Sequence, residues 1–332
     1  MSQLATEVAE SSGAPLGPSG EPEVEGKSPG QLFWSRFKQD KVALGGVFVI
    51  LLLVLIALFG GPLAERISGH DPNEVFKDAF QYYGELKIPG PAGSSNEFLL
   101  GADTAGRDLF VRIMYGARTS LQVAILATGL SVTIGVVLGI TAGFFGGKVD
   151  TVISRTIDII LSLPYLIIAL GITAACSVSK EGCLGGLVQP GLSLVVFVIV
   201  FFTWPYIARI VRGNTLSLRE KEFIEASRSL GASNRRIMFR EVLPNLVAPI
   251  IVYATLVIPS NIIFEAALSY LGMGLPQSVP SWGRMLSDAQ DQFETAWWMM
   301  LFPGLFLFTT TLAFNLVGDG LRDALDPRTG RN

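Results

Sequence analysis

Residues 213–245 read GNTLSLREKEFIEASRSLGASNRRIMFREVLPN. This is the one long polar interruption in the second half of an otherwise oily chain. Six basic and four acidic side chains sit in it, between two apolar runs long enough to cross a bilayer. Such a segment either meets something in the aqueous phase or simply joins two membrane helices. The rest of the chain has to decide between those readings.

Working outward, the 332 residues are 50% hydrophobic and 16% charged, too apolar for an ordinary soluble protein. Stretches free of Asp, Glu, Lys and Arg run over Val42–Ala64, Thr119–Gly147, Ile159–Ser179, Gly182–Ala208, Val242–Phe264 and Thr295–Gly318. Each reaches the ~20 residues a membrane helix needs. Six spans must be helices, because a lone strand cannot satisfy its backbone in lipid. The expected fold is therefore an all-α polytopic membrane protein with six transmembrane helices and a large outer loop between the first two.

With the N-terminus inside, the inner segments hold 17 of the Lys and Arg residues and the outer segments 8. That excess places both termini and the 213–245 loop in the cytoplasm. The expected division is a disordered tail over 1–30, poor in aromatics and rich in Gly, Pro, Ser and Glu. An interfacial segment and first helix follow over 31–64, then an outer loop over 65–118. A five-helix core spans 119–318 and encloses the 213–245 loop, with a cytoplasmic tail over 319–332. Val42–Ala64 is too long and too far from the N-terminus for a cleaved signal peptide.

Few residues are available for chemistry. One histidine, His70, and two cysteines, Cys176 and Cys183, provide no obvious metal site or nucleophilic centre. Both cysteines fall in an outer loop, where they form either a disulfide or two free thiols. The stretch AGFFGGKVD resembles a phosphate loop but fails. Ala142 stands where the first glycine belongs and Val149 follows Lys148. No catalytic residue, cofactor or nucleic-acid site is expected in this chain.

Structural signals are clearer. Ser131, Gly135, Gly139 and Gly143 recur every fourth residue, a small-residue ladder that lets a second helix approach closely. Arg155 and Asp158 stand three apart and are placed to pair locally. Pro164, Pro205 and Pro259 fall within spans three, four and five, where they bend helices. Glu265 is the one acid in an apolar context, and its position near the outer end of span five favours bonding the loop that follows. In the outer loop, Asp103, Arg107, Asp108, Arg112 and Arg118 form either a solvated helix with local ion pairs or part of a docking surface.

Within 213–245, Phe223, Ala226, Ser227 and Leu230 fall at i, i+3, i+4, i+7, predicting a short helix with one less polar stripe. Gly231 reads as its stop. A second short helix through Arg235, Arg236 and Arg240 is expected to end near Leu243, before Pro244. Physics alone leaves this pair of helices resting on anionic lipid or meeting a protein.

At these residues the sequence resembles a known family. Glu225-Ala226-Ser227, Gly231 and Leu243-Pro244 match the EAA---G---------I-LP signature of membrane subunits of binding-protein-dependent ABC importers. Ser227 replaces the second alanine, and Glu241 stands where the consensus has an aliphatic residue. FWSRFKQDKVALGG, LGADTAGRDLFVRIMYGARTSL, EAALSYLGMGLP and GDGLRDALDPR look like the C-type permease of dipeptide and oligopeptide importers, covering about Phe33 to Arg328. Ala102 departs from the threonine usual in that family's GTDxxGRD.

The resemblance implies a type I ABC importer permease fold in a bacterial inner membrane. It implies a homologous second permease subunit, two cytoplasmic ATPases holding ATP and Mg, and an external peptide-binding protein. Phe223, Glu225, Ala226, Ser227, Leu230, Gly231, Leu243 and Pro244 would form the surface coupled to one ATPase. Asp103, Arg107 and Asp108 would help shape the surface that meets the binding protein. Importers of nickel complexes or opines share this architecture. An ion-coupled transporter would need ionisable groups near the midplane, which the charge-free span cores do not provide. A non-transporting membrane scaffold would not need the signature.

Overall fold

The computed structural model describes residues 28–83, 88–178 and 182–325. The expected disordered tail lies almost wholly outside these residues, as does the chain end from 326 onward. A short helix, α1 (Pro29–Phe37), opens on a capping box between Ser28 and Gln31. Lys38 lies over the Trp34 ring at 5.0 Å.

α2 (Lys41–Ser68) is the first long apolar helix. The Asp40 carboxylate accepts hydrogen bonds from the Val42 and Ala43 N–H groups and so sets its start. A π-turn over Ile56–Gly60 interrupts it. Phe48, Leu51, Leu55 and Phe59 stay exposed, as a lipid-facing belt requires.

The outer segment is a built structure. β1 (Phe80–Tyr83) and β2 (Ile88–Pro91) form an antiparallel hairpin with Phe80 opposite Pro91. It closes over a small core of Ala79, Ala92, Phe98 and Ala102. α3 (Leu109–Phe145) then starts ten residues before the expected edge at Thr119. The cause is Asp108, whose carboxylate accepts from the Phe110 and Val111 N–H groups. Apolarity marked where the helix enters lipid; the cap marks where it begins.

The third apolar run departs most from expectation. It spans the end of one helix and the whole of the next, α4 (Gly147–Ser162) and α5 (Tyr165–Val178), which are bent by 89° at Leu163–Pro164. Pro164 disfavours helical geometry in the residue before it, and Leu163 is extended. Among the described residues five helices are long and apolar enough to cross a membrane, and six if the bent pair counts as one span. Cys176 is disulfide-bonded to Cys183 just beyond α5.

α6 (Leu192–Arg219) follows a tight turn in which Gly182, Gly185 and Gly186 adopt positive φ. It starts later than Gly182 and runs well past Ala208, so the first residues of the polar stretch belong to it. The small-residue ladder of α3 lies against it. A Cβ at Gly139 would meet the Ala208 carbonyl oxygen at 2.7 Å, and one at Gly143 the Thr215 Cβ at 2.7 Å. Gly135 faces Ile207, and Ser131 is fully buried.

α7 (Glu222–Ser229) is the predicted short helix. The second short helix is not separate. Asn234–Ile237 passes through a π-turn at Met238–Val242 into a single long element, α8 (Asn234–Tyr270). α9 (Trp282–Asp288) and α10 (Trp298–Leu325) complete the chain, with 319–325 helical rather than tail.

Candidate functional site

α7 has one buried side chain, Ile224. Ile224 is fully buried among Ile140 and Phe144 of α3, Ile207 and Val211 of α6, and Ile237, Val242 and Leu246 of α8. Arg228 lies over the Phe144 ring at 5.3 Å. The opposite face is open: Leu230 is 88% exposed and Phe223 39%, with Ala226 and Glu225 also exposed. The predicted stripe therefore exists, but it points away from the bundle rather than into it. Phe223, Ala226 and Leu230 leave an exposed, less polar surface on this short helix.

The helix stop is equally definite. Gly231 has φ +79°, a conformation that disfavours L side chains. Its N–H donates to the Arg228 carbonyl, and the Ala232 N–H donates to that of Ser227. Ser233 then caps α8 by accepting from the Arg236 N–H.

Glu241 lies within the π-turn at the start of α8. Pro244 has no N–H to give the Arg240 carbonyl, so the regular ladder cannot continue there. One residue on, Asn245 Nδ2 donates to the Glu241 backbone carbonyl. What the fold uses at 241 is a carbonyl, which any residue supplies. Leu243 is half-buried and Pro244 exposed beside the loop.

The same end of the bundle carries two ion pairs between α4 and α6. Arg212 grips Asp150 with two donors, Nε to Oδ1 and Nη2 to Oδ2, the latter at 2.8 Å. Arg209 pairs with Asp158 at 2.6 Å. The local Arg155–Asp158 pair does not form, because Arg209 reaches Asp158 from the neighbouring helix.

At the other end, four of the five outer-loop charges are buried, whereas Arg118 is exposed on α3. Asp103, Arg107, Asp108 and Arg112 are all at most 5% exposed. Arg107 donates to Asp103 at 2.7 Å, and Arg112 reaches the same carboxylate at 3.3 Å. Arg107 also approaches Asp288 of α9 at 3.6 Å, and both arginines donate to the Gln277 carbonyl. Arg284 pairs with Asp288 at 3.1 Å. Burial pushes the Asp288 carboxyl above its ordinary range, opposed by Arg284 and Arg107. His70 Nδ1 lies 2.8 Å from Asp108 Oδ2, and its ring packs against Phe76 and Phe98. Asp103, Arg107 and Asp108 are buried within the loop, where their bonds hold its shape.

Glu265, fully buried, accepts from the Ser120 hydroxyl at 3.3 Å and the Ser269 hydroxyl at 2.8 Å. Ser269 in turn accepts from the Leu275 N–H, so this acid orders the loop after α8. Among the described residues no three His, Cys, Asp or Glu side chains converge as a metal site.

The chain as a whole is similar to known proteins. A family model described as "N-terminal TM domain of oligopeptide transport permease C" matches residues 28–84. The di/tripeptide transport system permease protein DppC of Pseudomonas aeruginosa is 39% identical over 314 residues, 94% of this chain and 96% of that one. The glutathione transport system permease protein GsiD of Pectobacterium atrosepticum is 37% identical over 302 residues, 91% and 92% of the two chains. The bundle resembles a chain of the inward-facing MetNI methionine ABC transporter with a TM-score of 0.51. At 20% identity, over 64% of this chain and 94% of that one, the likeness is one of fold. A second family model covers residues 135–331, from the ladder of α3 through α7 to the chain end: by that match this protein belongs to the binding-protein-dependent transport system inner membrane components.

Proposed function

We propose that this chain is one permease subunit of an ATP-driven importer of di- and oligopeptides. The peptide specificity is supported by the relatives named for di/tripeptide transport. In this reading the chain sits in a bacterial cytoplasmic membrane with both ends and α7 in the cytoplasm. It pairs with a homologous permease, two ATPases bind below, and an external binding protein delivers peptide against the outer hairpin that Asp103, Arg107 and Asp108 hold in shape.

The observation that carries the reading is the open stripe of α7. A helix anchored by Ile224 and by Arg228 over Phe144, with Phe223, Ala226 and Leu230 exposed, is suited to seat in a cleft of an ATPase. Glu225, Ser227 and Gly231 complete the coupling surface, and Leu243 and Pro244 flank it where α8 begins. When the ATPases close on ATP, they move α7. Because α7 packs on α3, α6 and α8 together, its motion biases the whole bundle between two arrangements. The ATP and Mg would belong to the ATPases.

Gly231→Pro and Glu225→Lys are expected to abolish peptide uptake while the complex still assembles in the membrane. Uptake of labelled dipeptide, with co-purification of the ATPases as the assembly control, checks this. Uptake at the normal rate in either variant overturns the coupling assignment.

A further inference from the structure

The break between α4 and α5 lies beside a cavity of about 280 Å³. Broken backbone at membrane depth is stable only where protein buries it or where it lines a water-filled space. Leu163 and Tyr165 flank the break and line this cavity; Thr203 of α6 and Ser260 and Asn261 of α8 line the facing side. Thr203 is ~17 Å along α6 from its start, at ~1.5 Å per residue, so the site is deep in the bundle.

The polar groups here are ordered. Asn261, 2% exposed, donates from Nδ2 to the Thr128 hydroxyl at 2.8 Å. Its Oδ1 accepts from the Thr203 hydroxyl at 3.1 Å. Ser260 is exposed, and among the described residues its hydroxyl has no partner. Tyr165 is 56% exposed at the same opening. Pro205 stands two residues from Thr203 and Pro259 immediately before Ser260, and each removes a hydrogen bond from its helix. Lipid contact does not account for a free hydroxyl, a hydrogen-bonded amide and a broken helix around one opening. A wetted passage accounts for all three.

We infer that this cavity is the chain's share of the translocation path, and that Thr203, Ser260 and Asn261 form its polar wall. The inference rests on the peptide-importer reading for its substrate. No Asp, Glu, Lys or Arg lines the cavity. Hydroxyl and amide groups between apolar and aromatic surfaces match what every peptide shares, its backbone amides, and ignore side-chain charge. The wall therefore passes peptides of differing sequence.

The test uses the assembled importer carrying Ser260→Cys, with Phe48→Cys on the 69%-exposed face of α2 as the lipid-facing control. The native cysteines are disulfide-bonded and do not compete. A membrane-impermeant cationic methanethiosulfonate is expected to modify Ser260→Cys at least ten-fold faster than Phe48→Cys and to block dipeptide uptake. Equal rates for the two cysteines overturn the assignment, as they would if a helix of the second permease filled the cavity. So does full modification with uptake unchanged. Thr203→Cys, a second near-isosteric change, is expected to behave likewise. A complex that imports a nickel complex but no dipeptide, while Ser260→Cys stays reactive, would overturn the peptide reading and leave the path assignment standing.

Discussion

Single atoms decide several of the local outcomes. At Gly139 a methyl group would sit 2.7 Å from the Ala208 carbonyl oxygen, and backbone cannot yield as a side-chain end can. Gly139→Ile is therefore expected to cost about 1–3 kcal/mol by overpacking the α3–α6 contact. Gly129→Ala, where nothing lies within 4 Å, is expected to be neutral. Thermal unfolding of the two variants in one detergent checks the difference. Glu241 gives a second prediction at this scale. Since Asn245 uses its carbonyl, Glu241→Leu is expected to keep peptide uptake within about two-fold of normal, about 0.4 kcal/mol on the scale where 1.4 kcal/mol is ten-fold. A ten-fold loss in an uptake assay would mean that the carboxylate itself meets a partner.

Between elements, α4 and α6 are tied by two ion pairs of unequal weight. Arg209 and Asp158 are each 53% exposed, and such pairs contribute little. Asp150 and Arg212 are 20% and 30% exposed and meet through two parallel bonds, the stronger geometry. Asp158→Ala is expected to leave uptake near normal, whereas Asp150→Arg strands two cations together and lowers it at least ten-fold. Exchanging the pair, Asp150→Arg with Arg212→Asp, is expected to restore a large part. If the exchange restores nothing while the protein level is normal, the pair is not the tie between these helices.

Across the whole molecule, the buried charges join the outer hairpin to α9. Asp103, Arg107, Arg112 and Asp288 bridge segments far apart in the chain and so tie the outer loop to α9. Arg112→Ala leaves Asp103 short of a buried cation, a loss of about 3–5 kcal/mol for pairs of this kind. The expected result is an outer segment that is cleaved at least ten-fold faster by protease applied from outside, with the membrane helices still folded. Unchanged cleavage would show that the hairpin core of Ala79, Ala92, Phe98 and Ala102 holds alone.

The sequence by itself determined what depends on composition and local chain geometry. Six apolar runs, the four-residue ladder, the stripe of 223, 226, 227 and 230 and the stop at Gly231 need only period, charge and the conformational freedom of glycine. Tertiary structure decided what depends on residues far apart. It split the third run between two helices, because Pro164 permits the break and the facing α6 and α8 shelter it. It joined the second loop helix to α8, where a π-turn absorbs Pro244. It gave Asp158 to Arg209, buried Asp103, Arg107, Asp108 and Arg112 of the outer loop, and aimed the α7 stripe outward. The reason is common to all of these. Periodicity shows that a helix has two unlike faces, but only its neighbours determine which face is covered.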